Sequence, residues 1–208
     1  MSRDRVLRAA TDLADAGGIE SLTMRKLAQE VGVEAMSLYY HVANKDEILN
    51  GIVDMVVGEI ELPSSGADWK ASLRRTAISA HDILLRHPWA ASLMLSPGGV
   101  RAGRMRYMDA ILGCLRAGGF SAEMTHHAYH AMDSHILGFT LWQVGISAEA
   151  RKLPDLATTF LRELPVDEYP HLAEHVEQHI ADRPDEVSEF EFGLDLILDG
   201  LERARETA

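Results

Sequence analysis

Ser37, Tyr39, Tyr40, His41 and Lys45 place five hydrogen-bonding side chains within nine positions, and Arg25 adds a guanidinium a little upstream. Hydroxyl, ammonium and guanidinium donors in such a group suit phosphate oxygens and base edges. A second group could hold a metal. His126 and His130 are four apart, with Asp133 three further on, a spacing at which histidines bind zinc. No His-Glu-x-x-His pattern or cysteine pair accompanies them. Gly-x-Ser-x-Gly, a phosphate loop and a dinucleotide fingerprint are absent too. A metal-dependent enzyme built on His126, His130 and Asp133 is therefore the alternative, and the expectation is no enzyme, no metal and no cofactor. His171, His175 and His179 sit among Glu174, Glu177 and Gln178 as a solvated face. A third group is bulky and sparsely polar: His81, Leu84, Trp89, Met94, Met105, Tyr107, Met108, His130, Ser134, Phe139 and Trp142. Such a set could line a pocket for a small apolar or amphipathic molecule.

The donors need helices to aim them. Thr23 is an N-cap residue, and Met24, Leu27, Ala28 and Val31 follow at helical spacing. Gly32 then suits a left-handed stop. A second helix over residues 35–42 would bury Leu38 and Val42 and leave Ser37, Tyr39, Tyr40 and His41 outside. Asn44 caps the next helix, with Glu47 placed to reach back to the cap. Two helices, a glycine turn and a polar-aromatic second helix describe a helix-turn-helix, whose second helix enters the major groove.

The run Leu22-Thr23-Met24-Arg25-Lys26-Leu27-Ala28, then Val31-Gly32-Val33, Leu38-Tyr39-Tyr40-His41-Val42 and Asn44-Lys45 resembles the signature of the TetR family of transcriptional repressors. The rest of the chain resembles the family's tetracycline-repressor-like branch. The resemblance implies a cytoplasmic, dimeric, sequence-specific repressor of operator DNA, released by a small-molecule effector. It places Thr23, Met24, Arg25, Ala35, Met36, Ser37, Tyr39, Tyr40, His41 and Lys45 at the DNA. Tyr39, His41 and Lys45 would hold phosphates, and Arg25 and Ser37 would read bases. Ala35 and Met36 depart from the Gln-Pro of tetracycline repressors, so a tetracycline operator should not be recognised. The resemblance covers residues 4–60 closely, so it carries over no effector contacts.

Across its 208 residues the chain shows helical periodicity throughout and no strand-like alternation. The expectation is an all-α protein of nine or ten helices. Residues 1–62 form the helix-turn-helix domain and 63–208 a helical effector-binding and dimerisation domain. The boundary falls at Pro63, Ser64, Ser65 and Gly66, and a second break is expected at residues 96–99. The net charge is −12, which argues against a protein that coats nucleic acid non-specifically. Residues 1–60 hold six Lys/Arg against ten Asp/Glu, so binding must rest on a few well-placed cations. One cysteine, Cys114, excludes an internal disulfide. No signal peptide is expected, and no apolar stretch approaches the ~18 residues of a membrane span. A helix over residues 185–204 carries Phe190, Leu194, Ile197, Leu198 and Leu201 on one strip, with Gly193 and Gly200 beside it. Phe190, Leu194, Ile197 and Leu201 are the expected seam of a twofold four-helix bundle with residues 121–145. The operator would then be an inverted repeat. Release is expected to run through the helix over residues 45–61, pushed at its far end by a ligand between the helices from Lys70 and Arg101.

Overall fold

The computed structural model describes residues 2–64, 66, 68–95, 102–147, 153–180 and 188–207. They form eleven α-helices and one short 3-10 turn, with no strand among them. The helices are α1 (Arg3–Gly17), α2 (Met24–Val31), α3 (Ala35–Leu38), α4 (Lys45–Gly58), α5 (Trp69–Arg86), α6 (Pro88–Leu95), α7 (Ala102–Ala117), α8 (Ala122–Ser147), α9 (Leu153–Glu163), α10 (Pro170–Ile180) and α11 (Glu189–Glu206). That is one more than the expected upper number. Ser65, the break expected at 96–99 and residues 185–187 of the expected last helix lie outside the described residues.

Side-chain caps set where several of these helices begin. The oxygens of Ser2, Thr23, Asn44, Asp68 and Ser188 accept backbone N–H bonds from residues three further on, satisfying donors that the helix itself leaves unpaired. Gly32 ends α2 with φ at +75°, and the Val33 N–H returns to Ala28 O at 2.9 Å. This is the glycine stop that a left-handed residue requires. The second helix of the pair is shorter than its spacing suggests. It ends at Leu38, and Tyr39 to His41 form a turn that brings the His41 and Val42 N–H groups to Leu38 O. Leu38 and Val42 are buried all the same. The helix α4 stops at Gly58, three residues before its expected end.

One core runs through the molecule from Val6 to Leu198. In it α4 packs against α7, and α5, α8 and α11 pack on one another. This overturns part of the expected seam. Phe190 and Leu194 are 1% and 0% exposed within the single chain, and Ile197 and Leu201 lie half-buried against the same core. The Phe190 ring is stacked between His81 and His135. A strip this wide is taken up by two neighbours inside the chain. Gly193 lets α8 approach, since a Cβ there would sit 2.6 Å from the His135 ring. The apolar groups that α11 leaves exposed are Phe192 and Leu196, at 61% and 57%.

Candidate nucleic-acid interface and its connection to the second domain

The expected DNA-reading residues fall into two sets. Met36, Tyr39 and Tyr40 are 72%, 48% and 88% exposed, and Arg25 and Lys45 are exposed in the first turns of α2 and α4. Ser37 and His41 are half-buried. Met24 and Ala35 pack partly against the core. Thr23 uses its hydroxyl on the Lys26 N–H, so it fixes the start of α2. Arg25, Lys26 and Lys45 make no ion pair among the described residues, which leaves three cations free for an anion. Asn44 caps α4 with a 2.8 Å bond from the Glu47 N–H. The Glu47 carboxylate reaches past the cap to the Ala43 N–H at 2.7 Å and pairs with Arg3. The Ala43 N–H is the main reason its pKa lies below the ordinary value.

The acid excess of this half points elsewhere. Asp15 of α1 accepts bonds from Trp89 Nε1 at 2.7 Å and His87 Nδ1 at 2.8 Å, at the start of α6. Asp54 of α4 accepts the Gly103 N–H, in the first turn of α7, at 2.5 Å. Glu59 lies beside Arg86. These contacts were missed from sequence. Asp54 did carry a signal, as a lone acid within Ile52-Val53-Asp54-Met55-Val56.

The residues expected to line an effector pocket do not gather around one space. Leu84, Met94 and Tyr107 are core, and Trp89 is committed to Asp15. Met105 and Trp142 are about half exposed, and His130 and Ser134 lie on the surface. Met108 and Phe139 pack partly against the core. His81 is buried. The Thr140 hydroxyl donates to Ile136 O at 2.6 Å and lies 2.8 Å from His81 Nδ1, so that ring nitrogen carries the proton. Burial holds the ring's pKa below its ordinary value. Beside it, Phe139 and Trp142 help line a cavity of about 210 Å³ with Gln143, Ser188, Glu189 and Phe190.

The metal alternative does not form. His126 and His130 rings are 4.6 Å apart, but Asp133 turns to Tyr129 and Arg104. Burial pushes the Asp133 carboxyl above its ordinary value against the pull of Arg104, and pushes Tyr129 up to about 12. Among the described residues no group of three ligating side chains could hold a metal, and no helix is long and apolar enough to cross a membrane. His171 and His175 are exposed, while the His179 side chain lies outside the described residues.

Two family models match the chain. Residues 6–52 match bacterial regulatory proteins of the tetR family, and residues 62–205 match the tetracyclin repressor-like C-terminal domain. The chain belongs to the TetR family. It is a helix-turn-helix transcriptional regulator of a family that acts as dimers, and not an enzyme. The HTH-type transcriptional repressor DrrR1 of Streptomyces coeruleorubidus is 32% identical, over 97% of this chain and 77% of its own length. The class D tetracycline repressor protein of Escherichia coli is 30% identical, over 97% and 89%. Among solved structures, the TetR family protein ActR of Streptomyces coelicolor in complex with actinorhodin superposes with a TM-score of 0.81, at 26% identity, over 99% of this chain and 98% of its own.

Proposed function

We propose that the chain is a cytoplasmic dimeric repressor that holds an inverted-repeat operator and leaves it when a small apolar or amphipathic molecule binds the second domain. The observation that carries this is the division of charge in the first half. Arg25, Lys26 and Lys45 stand free beside exposed Met36, Tyr39 and Tyr40, while Asp15, Asp54 and Glu59 turn toward the other half. An acidic chain can read DNA through such a local patch. Tyr39, His41 and Lys45 hold phosphates; Arg25 and Ser37 read base edges, with Ala35 and Met36 beside them. Residues 1–62 act as the reader and 63–208 as the dimerising, effector-binding part. The effector class draws support from the tetracycline repressors and from ActR, whose structure holds actinorhodin. The space lined by Phe139, Trp142 and Phe190 suits one aromatic ring of such a molecule. Gel-shift titration with the DNA upstream of the protein's own gene tests the proposal. Salt-sensitive, sequence-specific retention is expected, and retention no tighter than on scrambled DNA overturns it.

A further inference from the structure

The two carboxylates that leave the reader are not ordinary surface acids. Each meets the start of a helix in the second domain, and each takes N–H donors there. Asp15 Oδ1 collects both His87 Nδ1–H and Trp89 Nε1–H, and the two rings are largely buried, at 12% and 6% exposure. Asp54 Oδ1 accepts the Gly103 N–H in the first turn of α7, where the partial positive charge of a helix end favours a carboxylate. The fit is tight. A Cβ on Gly103 would lie 2.6 Å from Asp54 Oδ1 and 2.9 Å from the Asp54 carbonyl oxygen. The two docking points are themselves joined, because the Arg104 guanidinium donates to Met94 O in the last turn of α6 and also faces Asp133 of α8. Thus α6 and α7 form one tied unit. The reader is fastened to the start of each of these helices, through α1 at Asp15 and through α4 at Asp54.

We propose that Asp15 and Asp54 are positioning residues for DNA binding: they set the angle of each reader on its second domain, and so the separation of the two readers, without touching the duplex. The proposal rests on the dimeric regulator reading. A duplex requires both reading helices in successive turns of one groove, so a reader loose at one end enters that geometry only part of the time. Its apparent affinity falls by that fraction. A carboxylate that does not touch the duplex would then control DNA affinity through geometry alone.

The experiment uses the full-length dimer with a spin label at Glu30→Cys, an exposed position on α2, in a Cys114→Ser background. The distance between the two labels is measured by pulsed electron spin resonance, and affinity for the DNA upstream of the protein's own gene is measured beside it. Asp54→Ala and Asp15→Ala are expected to broaden or shift the distance and to weaken binding about 5- to 150-fold, the usual span of coupling between sites. Asp54→Asn keeps the accepting oxygen and should keep the parent distance. So should Asp12→Ala, which removes an exposed acid from the same helix α1. Unchanged distances in both alanine variants overturn the proposal. So does an equal affinity loss in Asp54→Asn and Asp54→Ala, because that would be charge acting through space. Should Asp54→Ala fail to fold, Gly103→Ala forces the same contact apart from the other side and must show the same broadening. If the parent binds no DNA, the regulator reading falls, while the label distances still decide whether the two carboxylates fasten the reader.

Discussion

At the scale of single residues, Lys45 and Asn44 are neighbours with opposite duties. Lys45 is exposed and unpaired, so Lys45→Ala should weaken binding to every DNA sequence alike. The slope of log affinity against log salt should flatten by about one, read by titration at several salt concentrations. Asn44 accepts the Glu47 N–H, so Asn44→Ala should cost about 1 kcal/mol of stability, seen in urea unfolding. Glu47 gives a test with a sign. Its carboxyl is held below its ordinary value, first by the Ala43 N–H, so the fold favours the charged form. That stabilisation is present above the ordinary carboxylate range and is lost as pH falls through the lowered folded value. The gap in Tm between the parent and Glu47→Gln should therefore close in acid. A gap that widened toward acid would contradict the Ala43 contact. Ala35 and Met36 carry no group that can take two hydrogen bonds from an adenine edge. A tetracycline operator should accordingly bind no better than unrelated DNA in a gel shift.

At the scale of elements, α11 shows both what the residues disclose and where they stop. Its periodicity, Phe190-Leu194-Ile197-Leu198-Leu201, marks the helix and its apolar strip correctly. Periodicity reports that a face is buried, but not against which chain. Here α5 and α8 of the same chain cover the strip, and Lys70 and Arg74 lash α11 to α5 through Asp199, Glu202, Asp195 and Glu191 at 2.6–2.7 Å. That finding makes the reverse face, with exposed Phe192 and Leu196, the expected seam. Leu196→Glu with Phe192→Glu should give a folded monomer with parental helix content and no operator binding, checked by sedimentation and circular dichroism. Leu194→Ala should instead leave the dimer intact and cost about 2–5 kcal/mol of stability as a core cavity. The helix-turn-helix was legible for a related reason. Its caps, glycine stop and donors lie within one short stretch, and local chemistry decides all three. The length of α3 was not, because tertiary packing of Leu38 and Val42 overrides the pattern after one turn. The effector residues were not legible either. Large side chains fit a core as readily as a pocket, and Leu84, Met94 and Tyr107 became core.

At the scale of the whole molecule, the readers of a twofold dimer must meet an inverted repeat whose half-sites lie about 34–36 Å apart, one turn of DNA. Inserting half a turn between half-sites should abolish tight binding. Effector and operator must also oppose each other equally: a ligand found by thermal-shift screening should bind the DNA-loaded protein more weakly by the factor with which it weakens DNA binding, typically ~1–3 kcal/mol. Titration calorimetry on free and DNA-bound protein checks this, and equal affinities would rule the coupling out. The expected push at the far end of α4 gains a point of application one turn earlier, since Asp54 meets α7 directly. The core that runs unbroken from Val6 to Leu198 bears on anyone who would treat the two halves as interchangeable parts. A hybrid that joins this reader to another regulator's second half would strand Asp15 and Asp54 without their donors and cut the core along α4. Such a chimera should be made by grafting only the exposed residues of α2, α3 and the turn after it onto an intact host, leaving α1 and α4 with the second half they grew up beside.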